Sequence, residues 1–309
     1  MSTKTVGIVG GGLMGAGIAA KFALAGHAAL VLETSPERRA TIPAVIGGIL
    51  QELQAAGAID AAGSAAAAAR ITLVGDLTAL ATAPLVIEVI PEVLAAKQEL
   101  YQQLEAVLAP DALLASNTSG FLPDALGTGL ARPERFLITH FWNPPHAIPL
   151  VEVVPGTRTA PATVERTVAV LRAIGAEPVV LRKAVPGFIG NRLQFAVLRE
   201  ALHLIHTGVA DAETIDTVMK ASLGRRYAIA GPLESADLGG LETILKVGTH
   251  LLPAITADGS GLEVLRAHIA RGETGAASGK GFYPWTDERR AAMRQKRVTF
   301  QLQGRLPSG

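Results

Sequence analysis

The fold is decided by the stretch Val6-Gly-Ile-Val-Gly10-Gly-Gly-Leu-Met-Gly15, in which an apolar strand pattern runs directly into a glycine-rich turn and a helical pattern. Its last six residues fit G-x-G-x-x-G. In such a turn Gly10 permits the sharp bend, Gly12 lets the backbone approach a pyrophosphate, and Gly15 lets helix and strand pack closely. The helix N-terminus that follows presents unpaired N–H groups to phosphates. The stretch therefore predicts a dinucleotide-binding turn formed by Gly10, Gly12, Leu13, Met14 and Gly15.

A glutamate marks the end of the next apolar strand. Glu33 follows residues 27–32 and lies 18 residues after Gly15. A carboxylate at this position accepts hydrogen bonds from the adenosine ribose and repels a 2′-phosphate, which favours NAD. Arg38 and Arg39 nearby leave NADP open, and a flavin can use the same fold. An ordinary surface residue is the plainer alternative for Glu33.

Composition limits the possible functions of the 309 residues. Hydrophobic residues make up 49% and charged residues 18% of the chain, which excludes a disordered protein. The net charge of +1 gives no basic field for nucleic acid, and the absence of cysteine excludes disulfides and thiolate metal sites. The histidines lack metal-ligand spacing, and no uncharged apolar run is long enough to cross a membrane. We therefore expect a metal-free cytoplasmic protein that handles a small molecule.

Strand and helix patterns alternate through the first half of the chain, and helical patterns alone fill the last part. Further apolar strands are expected at residues 85–90, 113–116, 136–139 and 179–181. The alternation predicts an α/β fold with a Rossmann-type, doubly wound, mostly parallel sheet. Val185-Pro-Gly187 breaks the last strand before a long helical pattern. We therefore place an NAD-binding domain at residues 1–184 and an all-α C-terminal domain at residues 185–309.

A histidine and a glutamate lie on two apolar strands joined by a proline-rich turn. The segment reads Thr139-His140-Phe-Trp-Asn143-Pro-Pro-His146-Ala-Ile-Pro149-Leu-Val-Glu152-Val-Val154. When the chain doubles back, Glu152 returns to the neighbourhood of His140. A carboxylate behind an imidazole fixes its tautomer, so the pair can take a hydroxyl proton as hydride leaves for a nicotinamide. A buried histidine satisfied by a structural acid is the alternative.

Six motifs occur in an order that is specific for one enzyme family. They are Gly10-x-Gly12-x-x-Gly15, Glu88-Val-Ile-Pro-Glu92, Ser116-Asn-Thr-Ser119, His140-Phe-Trp-Asn143-Pro, Leu150-Val-Glu152-Val and Pro186-Gly-Phe-Ile-Gly-Asn191-Arg. With Gly279-Lys-Gly-Phe-Tyr283, the chain resembles the 3-hydroxyacyl-CoA dehydrogenase family from residue 5 to about residue 285. The resemblance implies an NAD-dependent dehydrogenase that interconverts an (S)-3-hydroxyacyl compound and its 3-oxo form by hydride transfer.

The resemblance also implies roles for individual residues. His140 would be the general acid and base, and Glu152 its orienting carboxylate. Ser119 and Asn191 would hold the reacting oxygen as charge develops on it. The positions implied to bind the nicotinamide and ribose side of the cofactor are Glu92, Lys97, Asn117 and Asn143. The alternatives are a helix-dipole contact for Glu92, a solvated helix position for Lys97, and a turn-shaping role for Asn143.

The chain departs from the family pattern where the substrate would bind. The members of the family that act on CoA thioesters present lysines on a helical hairpin after the second strand. In this chain, residues 40–69 contain no Lys or Arg. Phosphates such as those of CoA are normally met by these cations. The segments 143–152 and 226–234 resemble the branch of lambda-crystallin and L-gulonate 3-dehydrogenase, whose members act on a free hydroxy acid. Candidates for substrate contact are Arg225, Arg226 and Trp142. The alternative for the two arginines is that they only end a helix in solvent.

Three hypotheses of function remain open. The overall resemblance to the family favours an (S)-3-hydroxyacyl-CoA substrate. The departures from the family pattern favour a free 3-hydroxy acid, or an aromatic hydroxy or aldehyde acid. A non-catalytic, crystallin-like NAD-binding protein is the further alternative, although the four intact catalytic positions count against it. The family also implies a homodimer formed through the C-terminal domain, which the apolar positions in 197–205 and 215–223 would allow.

Overall fold

The computed structural model describes residues 5–303, and the fold is built on an eight-stranded sheet. The strands are β1 Thr5–Val9, β2 Ala28–Leu32, β3 Ile71–Val74, β4 Leu85–Glu88, β5 Leu113–Ser116, β6 Phe136–Phe141, β7 Leu150–Pro155 and β8 Glu177–Val180. Their order is β3-β2-β1-β4-β5-β6-β7-β8, and the pairs are parallel except for β6 with β7. The predicted doubly wound, mostly parallel sheet is confirmed.

The strand order reverses beside β1, which places the glycine turn at a crevice of the sheet. β2 pairs with one side of β1 and β4 with the other. In open parallel sheets, ligands bind outside the carboxyl ends of the strands at such a point. β6 ends at this edge and the antiparallel β7 begins there, with His140 directly opposite Glu152. The topology therefore brings the glycine turn and the histidine–glutamate pair to the same edge.

Helices cover both faces of the sheet in the first part of the chain. They are α1 Leu13–Leu24, α2 Pro36–Ala55, α3 Ala61–Ala69, α4 Leu94–Val107, α5 Pro123–Leu126 and α6 Pro161–Ala173, with 3-10 helices at Leu77–Leu80 and Pro133–Arg135. Two apolar clusters result. Leu85 and Ile87 of β4 enter one cluster and Val86 the other, because side chains alternate along a strand. Burial on both faces explains why the strands read as unbroken apolar runs.

The chain divides into two compact units. Of the described residues, 5–189 and 297–303 form the first unit and 190–296 the second. Helices of the second unit are α7 Gly190–His206, α8 Ala212–Ala221, α9 Leu223–Tyr227, α10 Pro232–Gly239, α11 Leu241–Leu251, α12 Leu262–Ala270 and most of α13 Asp287–Gln303, with 3-10 helices at Leu252–Ala254 and Ala276–Ser278. Among residues 5–303, no helix is long and apolar enough to span a membrane.

The division differs in two details from the one expected from the sequence. The first unit extends a few residues beyond the expected boundary at 184, and the end of α13 belongs to it. Val298 in this helix is buried, and Leu302 packs against the cluster that contains Leu85. A helical pattern does not reveal which core its apolar face covers, so residues 297–303 were expected with the second domain.

Sequence patterns predicted most strand positions but missed β3. This strand is short, lies at the edge of the sheet and is mostly half-buried, so its apolar signal is weak. α1 begins at Leu13, inside the glycine turn, with Gly12 as its N-cap. α4 begins at Leu94, after the proline at position 91 and an extended Val93.

Two glycines of the turn serve different purposes. A Cβ at Gly15 would lie 1.9 Å from the carbonyl oxygen of Gly10, which is backbone and cannot move aside. A Cβ at Gly12 would meet nothing within 4 Å among the described residues. The close packing of α1 on the turn thus requires Gly15, whereas the space beside Gly12 is open to a ligand.

The substitution Gly15→Ala should lower the free energy of unfolding by about 3 kcal/mol, because the new methyl group forces α1 away from the turn. The matched variant Gly12→Ala should cost less than about 1 kcal/mol but weaken NADH binding. Urea denaturation and NADH titration measure the two effects. Equal denaturation midpoints for the two variants would contradict the packing role of Gly15.

Candidate active site

A cleft of about 540 Å³ opens beside the glycine turn. Among the residues that line it are the predicted cofactor residues of the turn and the residue directly after β2, namely Gly10, Gly12, Leu13, Met14, Gly15 and Glu33. Gly12 offers no side chain to cap the first turn of α1, so the N–H groups there are available to a ligand. An uncapped helix N-terminus in a glycine-lined cleft fits the pyrophosphate of a dinucleotide.

Glu33 lies at the tip of β2, where a ribose would be bound. Its carboxylate accepts the N–H of Ser35 at 3.3 Å, and Nε of Arg38 lies 3.6 Å from its other oxygen. Arg39 donates to the carbonyl oxygen of Glu33 at 2.7 Å. The carboxylate of Glu33 thus lies at the strand tip, where it accepts hydrogen bonds from ribose hydroxyls and repels a 2′-phosphate, which favours NAD.

His140 and Glu152 form a buried hydrogen-bonded pair. Nδ1 of the imidazole lies 2.9 Å from Oε2 of the carboxylate. The side chains are 9% and 2% exposed, respectively. Because Nδ1 is engaged with Glu152, Nε2 is the ring atom that can exchange a proton with a substrate. The β6–β7 register produces this pair, as the doubling-back of the chain predicts.

Two further donors fix the carboxylate of Glu152. Nε1–H of Trp142 donates to Oε2 at 3.3 Å, and the N–H of Ile189 donates to Oε1 at 2.8 Å. Phe188 precedes this amide, is buried, and packs its ring 5.5 Å from the imidazole of His140. Its φ of 51° is a left-handed conformation that bulky residues rarely adopt. The last residues of the first unit therefore help to orient the pair.

A second carboxylate organises the loop that carries Ser119. Oε1 of Glu92 accepts the N–H groups of Ser119 and Gly120, each at 3.1 Å, and the hydroxyl of Thr118. Partial burial raises the pKa of Glu92, but the Thr118 hydroxyl and the Lys97 charge outweigh it and hold the pKa below its usual value. Ser119 itself is exposed. The loop thus presents Ser119 from a backbone that an ionised carboxylate holds.

Lys97 is buried, with only 1% of its side chain exposed. Its Nζ lies 2.6 Å from Oε1 of Glu88, 3.0 Å from the carbonyl oxygen of Ile90 and 3.1 Å from Oε2 of Glu92. Each of the three ammonium protons therefore has an acceptor within the protein. The solvated helix position considered for Lys97 is wrong, because α4 packs this face against the sheet.

Asn117 and Asn143 lie at the same edge of the sheet. Oδ1 of Asn117 accepts the N–H of Phe141 at 2.8 Å and ties the end of β5 to the end of β6. Asn143 is exposed in the turn between β6 and β7. Pro145 of this turn packs on α1, where a Cβ at Gly17 would lie 2.6 Å from Cγ of the proline. The helix that starts at the glycine turn therefore also supports the turn that carries Asn143.

The other predicted site residues belong to the second unit. Asn191 is the second residue of α7 and is half-buried. Arg225 and Arg226 lie on the short helix α9, and both are exposed. Consecutive residues of a helix point in different directions, so each guanidinium group by itself can bind a carboxylate in the bidentate manner that arginine favours.

Sequence reasoning gave no role to Glu88 or Phe188, although both lie within the family motifs, and it did not single out Tyr101. A carboxylate at the end of the apolar run Leu85-Val-Ile-Glu88 was a usable signal, because a strand buried on both faces rarely ends in an unpaired charge. Tyr101 follows Lys97 by four residues on α4, which places both on one helix face. Phe188 gave no such signal, since a left-handed backbone at a non-glycine residue cannot be read from sequence.

Comparison with known families matches nearly the whole chain. Residues 5–185 match the family model described as "3-hydroxyacyl-CoA dehydrogenase, NAD binding domain". Residues 187–285 match the model described as "3-hydroxyacyl-CoA dehydrogenase, C-terminal domain". The two matches meet close to the boundary between the two compact units.

Similar proteins include enzymes named for different substrates. The 5-formyl-3-hydroxy-2-methylpyridine 4-carboxylate 5-dehydrogenase of Mesorhizobium japonicum is 34% identical over 299 residues, 96% of this chain and 95% of the relative. A crystal structure of an enzyme of that name, described as an NAD+-dependent dismutase, superposes with a TM-score of 0.89 at 31% identity and covers 99% of this chain and 98% of its own. Lambda-crystallin of Oryctolagus cuniculus is 38% identical over 75% of this chain and 73% of its own. L-carnitine dehydrogenase of Burkholderia mallei is 36% identical over 77% and 73%.

Proposed function

This chain belongs to the 3-hydroxyacyl-CoA dehydrogenase family, and from that premise we propose that it oxidises the hydroxyl-bearing carbon of a small free carboxylic acid. The family, the crystallin-like branch and NAD as cofactor were predicted from the sequence and are confirmed. The observation that carries the proposal is the buried His140–Glu152 pair at the edge of the sheet where the glycine turn lies.

His140 moves the proton of the reaction. The glycine turn and Glu33 would hold NAD, which would supply the acceptor for the hydride of the substrate carbon. The substrate hydroxyl loses its proton at the same time, and Nε2 of His140 takes it. Glu152 holds Nδ1–H and stabilises the imidazolium that forms, and its own orientation is fixed by Trp142 and Ile189. In the reverse direction His140 returns the proton to the carbonyl oxygen.

The remaining site residues bind and orient. Ser119 and Asn191 hold the reacting oxygen and stabilise the charge that develops on it. The glycine turn and Glu33 hold the pyrophosphate and the adenosine ribose. The nicotinamide side of the cofactor is assigned to Glu92, Asn117 and Asn143, whose segments surround the carboxyl ends of β4, β5 and β6.

A free acid, rather than a CoA thioester, is supported by the charges of the chain. The segment 40–69, which covers most of α2 and all of α3, carries Glu52 and Asp60 but no Lys or Arg to meet CoA phosphates. The exposed Arg226 supplies a guanidinium group for the carboxylate of the substrate, and the exposed Arg225 is the neighbouring candidate. An aromatic acid is the second candidate, because the relative that matches along 96% of this chain is named for a pyridine carboxylate.

Oxidation of a free acid, followed by the absorbance of NADH, should exceed oxidation of (S)-3-hydroxybutyryl-CoA at least about 10-fold in kcat/KM, since charge-assisted contacts contribute on that scale. The free acids to compare are L-carnitine, L-gulonate and 3-hydroxybutyrate. The pyridine carboxylate named above is compared as well, because its formyl carbon bears a hydroxyl once it has added water. Arg226→Met should remove the preference, whereas Arg266→Met, which breaks only a surface ion pair with Glu263, should keep it.

The variant His140→Ala tests the proton transfer. Its kcat should be lower than that of the parent by about two to four orders of magnitude, while NADH binding is retained. Activity within a few-fold of the parent would overturn the role of His140. A higher kcat/KM for the thioester would overturn the free-acid substrate. NADH binding without turnover of any substrate would favour the crystallin-like alternative.

We further propose that two copies pair through the apolar surface of α10, α11 and the residues beside them. Five of its residues are between 69% and 90% exposed, namely Ile229, Leu233, Leu238, Leu245 and Leu252. Monomeric proteins rarely expose apolar patches of this extent, and a two-fold interface uses the same patch on both copies.

Light scattering should give twice the mass of the chain. Leu245→Glu should yield monomers and Ile269→Glu, on α12, should not; a monomeric parent protein at micromolar concentration would contradict the proposal.

A further inference from the structure

A fully buried carboxylate ends β4. The side chain of Glu88 is 0% exposed, and its two oxygens accept four hydrogen bonds. Oε1 accepts Ile90 N–H at 2.7 Å and Lys97 Nζ at 2.6 Å, and Oε2 accepts the hydroxyls of Tyr101 at 2.5 Å and Ser116 at 2.7 Å. A buried charge is costly unless it is paired and hydrogen-bonded in this way. Glu88 is therefore a rigid point inside the first unit.

Lys97 connects this rigid point to the surface of the site. Its ammonium lies between Oε1 of Glu88 and Oε2 of Glu92, at 2.6 Å and 3.1 Å. Glu92 is 40% exposed, and Lys97 ties its carboxylate to the buried Glu88. Without that cation the carboxylate would be held only by the donors of residues 118–120, and it could move together with their loop.

Glu92 in turn holds the loop after β5. Oε1 accepts the amides of Ser119 and Gly120 and the hydroxyl of Thr118, while Oε2 faces Lys97. Contacts therefore run without interruption from Glu88 through Lys97 and Glu92 to Ser119. Ser119 needs such support, because the loop is exposed and has no regular secondary structure.

We propose that Glu88 and Lys97 are positioning residues for the reaction, which hold Glu92 and thereby place Ser119 where the reacting oxygen is bound. The inference rests on the role proposed for Ser119. It also assigns Lys97 an action through Glu92, in place of the direct cofactor contact that the family resemblance implies. Tyr101 and Ser116 complete the support by fixing the second oxygen of Glu88.

Hydrogen exchange of the protein without cofactor or substrate tests the contacts themselves. Lys97→Met should speed exchange of the Ser119 and Gly120 amides about 5–10-fold, the loss expected for one weakened hydrogen bond. The matched control is Gln98→Met, which removes a 2.8 Å hydrogen bond from the next residue of α4 to the carbonyl of Ala125. It should leave the two amides unchanged. Unchanged exchange in Lys97→Met would overturn the inference.

A double-mutant cycle tests the consequence for catalysis. Ser119→Ala should lower kcat about 100-fold, as loss of a donor to the reacting oxygen does, and Lys97→Met should lower it similarly by displacing that donor. The combined variant should be about as slow as either single variant. A combined loss near the product of the two, about 10,000-fold, would contradict positioning through Ser119.

The binding of NADH separates this inference from a direct contact. In Lys97→Met the Kd for NADH should rise no more than it does in Glu92→Gln, because Lys97 acts on the cofactor side only through Glu92. A rise in Kd clearly beyond that of Glu92→Gln, at unchanged kcat, would show that Lys97 binds the cofactor itself and would overturn the inference. Should Lys97→Met fail to fold because Glu88 is left unpaired, Glu88→Gln combined with Lys97→Met removes both charges and permits the same measurements. No loss in Ser119→Ala would overturn the role of Ser119, which the exchange experiment does not assume.

Discussion

The antiparallel pairing of β6 with β7 is the constraint on which the site depends. β6 runs parallel to β5, so its carboxyl end reaches the edge of the sheet where the glycine turn lies. The return of β7 in the opposite direction places Glu152 opposite His140 on one face of the sheet. A slip of one residue would turn every side chain of one strand to the other face and separate the pair. The chemistry therefore depends on a register that the backbone hydrogen bonds and the two apolar clusters enforce.

Two buried carboxylates serve this edge in different ways. Glu152 accepts hydrogen bonds from an imidazole, an indole and a backbone amide, and it orients a group that exchanges a proton. Glu88 accepts an ammonium, two hydroxyls and an amide, and it anchors a loop. Each charge would cost several kcal/mol in the interior without these donors. Glu88 is the last residue of β4 and Glu152 the third residue of β7, and donors from loops and helices reach both.

Local patterns were enough to predict the cofactor half of the site. The glycine turn, Glu33 and the alternation of strand and helix depend on residues close together in the chain, and they need only a backbone of known geometry. The return of Glu152 to His140 was also predictable, because a proline-rich turn joins two short strands. The substrate half of the site was less predictable from local patterns, because Asn191, Arg225 and Arg226 lie in a separate helical unit.

Features that depend on tertiary packing were not predictable. The burial of Lys97 follows from the carboxylate of Glu88, which lies nine residues away on another element. The left-handed backbone of Phe188 is stabilised by packing against His140 and leaves no trace in the sequence. The last turns of α13 join the first core although their helical pattern is continuous with the second unit. In each case a contact between different elements, and not local propensity, decides the structure.

The most direct test of the paired histidine and glutamate is the position of the imidazole proton of His140. Nitrogen-15 NMR of labelled histidine in the NAD-bound protein, assigned by comparison with His140→Ala, distinguishes the two ring nitrogens. The structure predicts that neutral His140 carries its proton on Nδ1, toward Glu152, and leaves Nε2 bare to accept the hydroxyl proton. A proton found on Nε2 instead would contradict the assignment of His140 as the base.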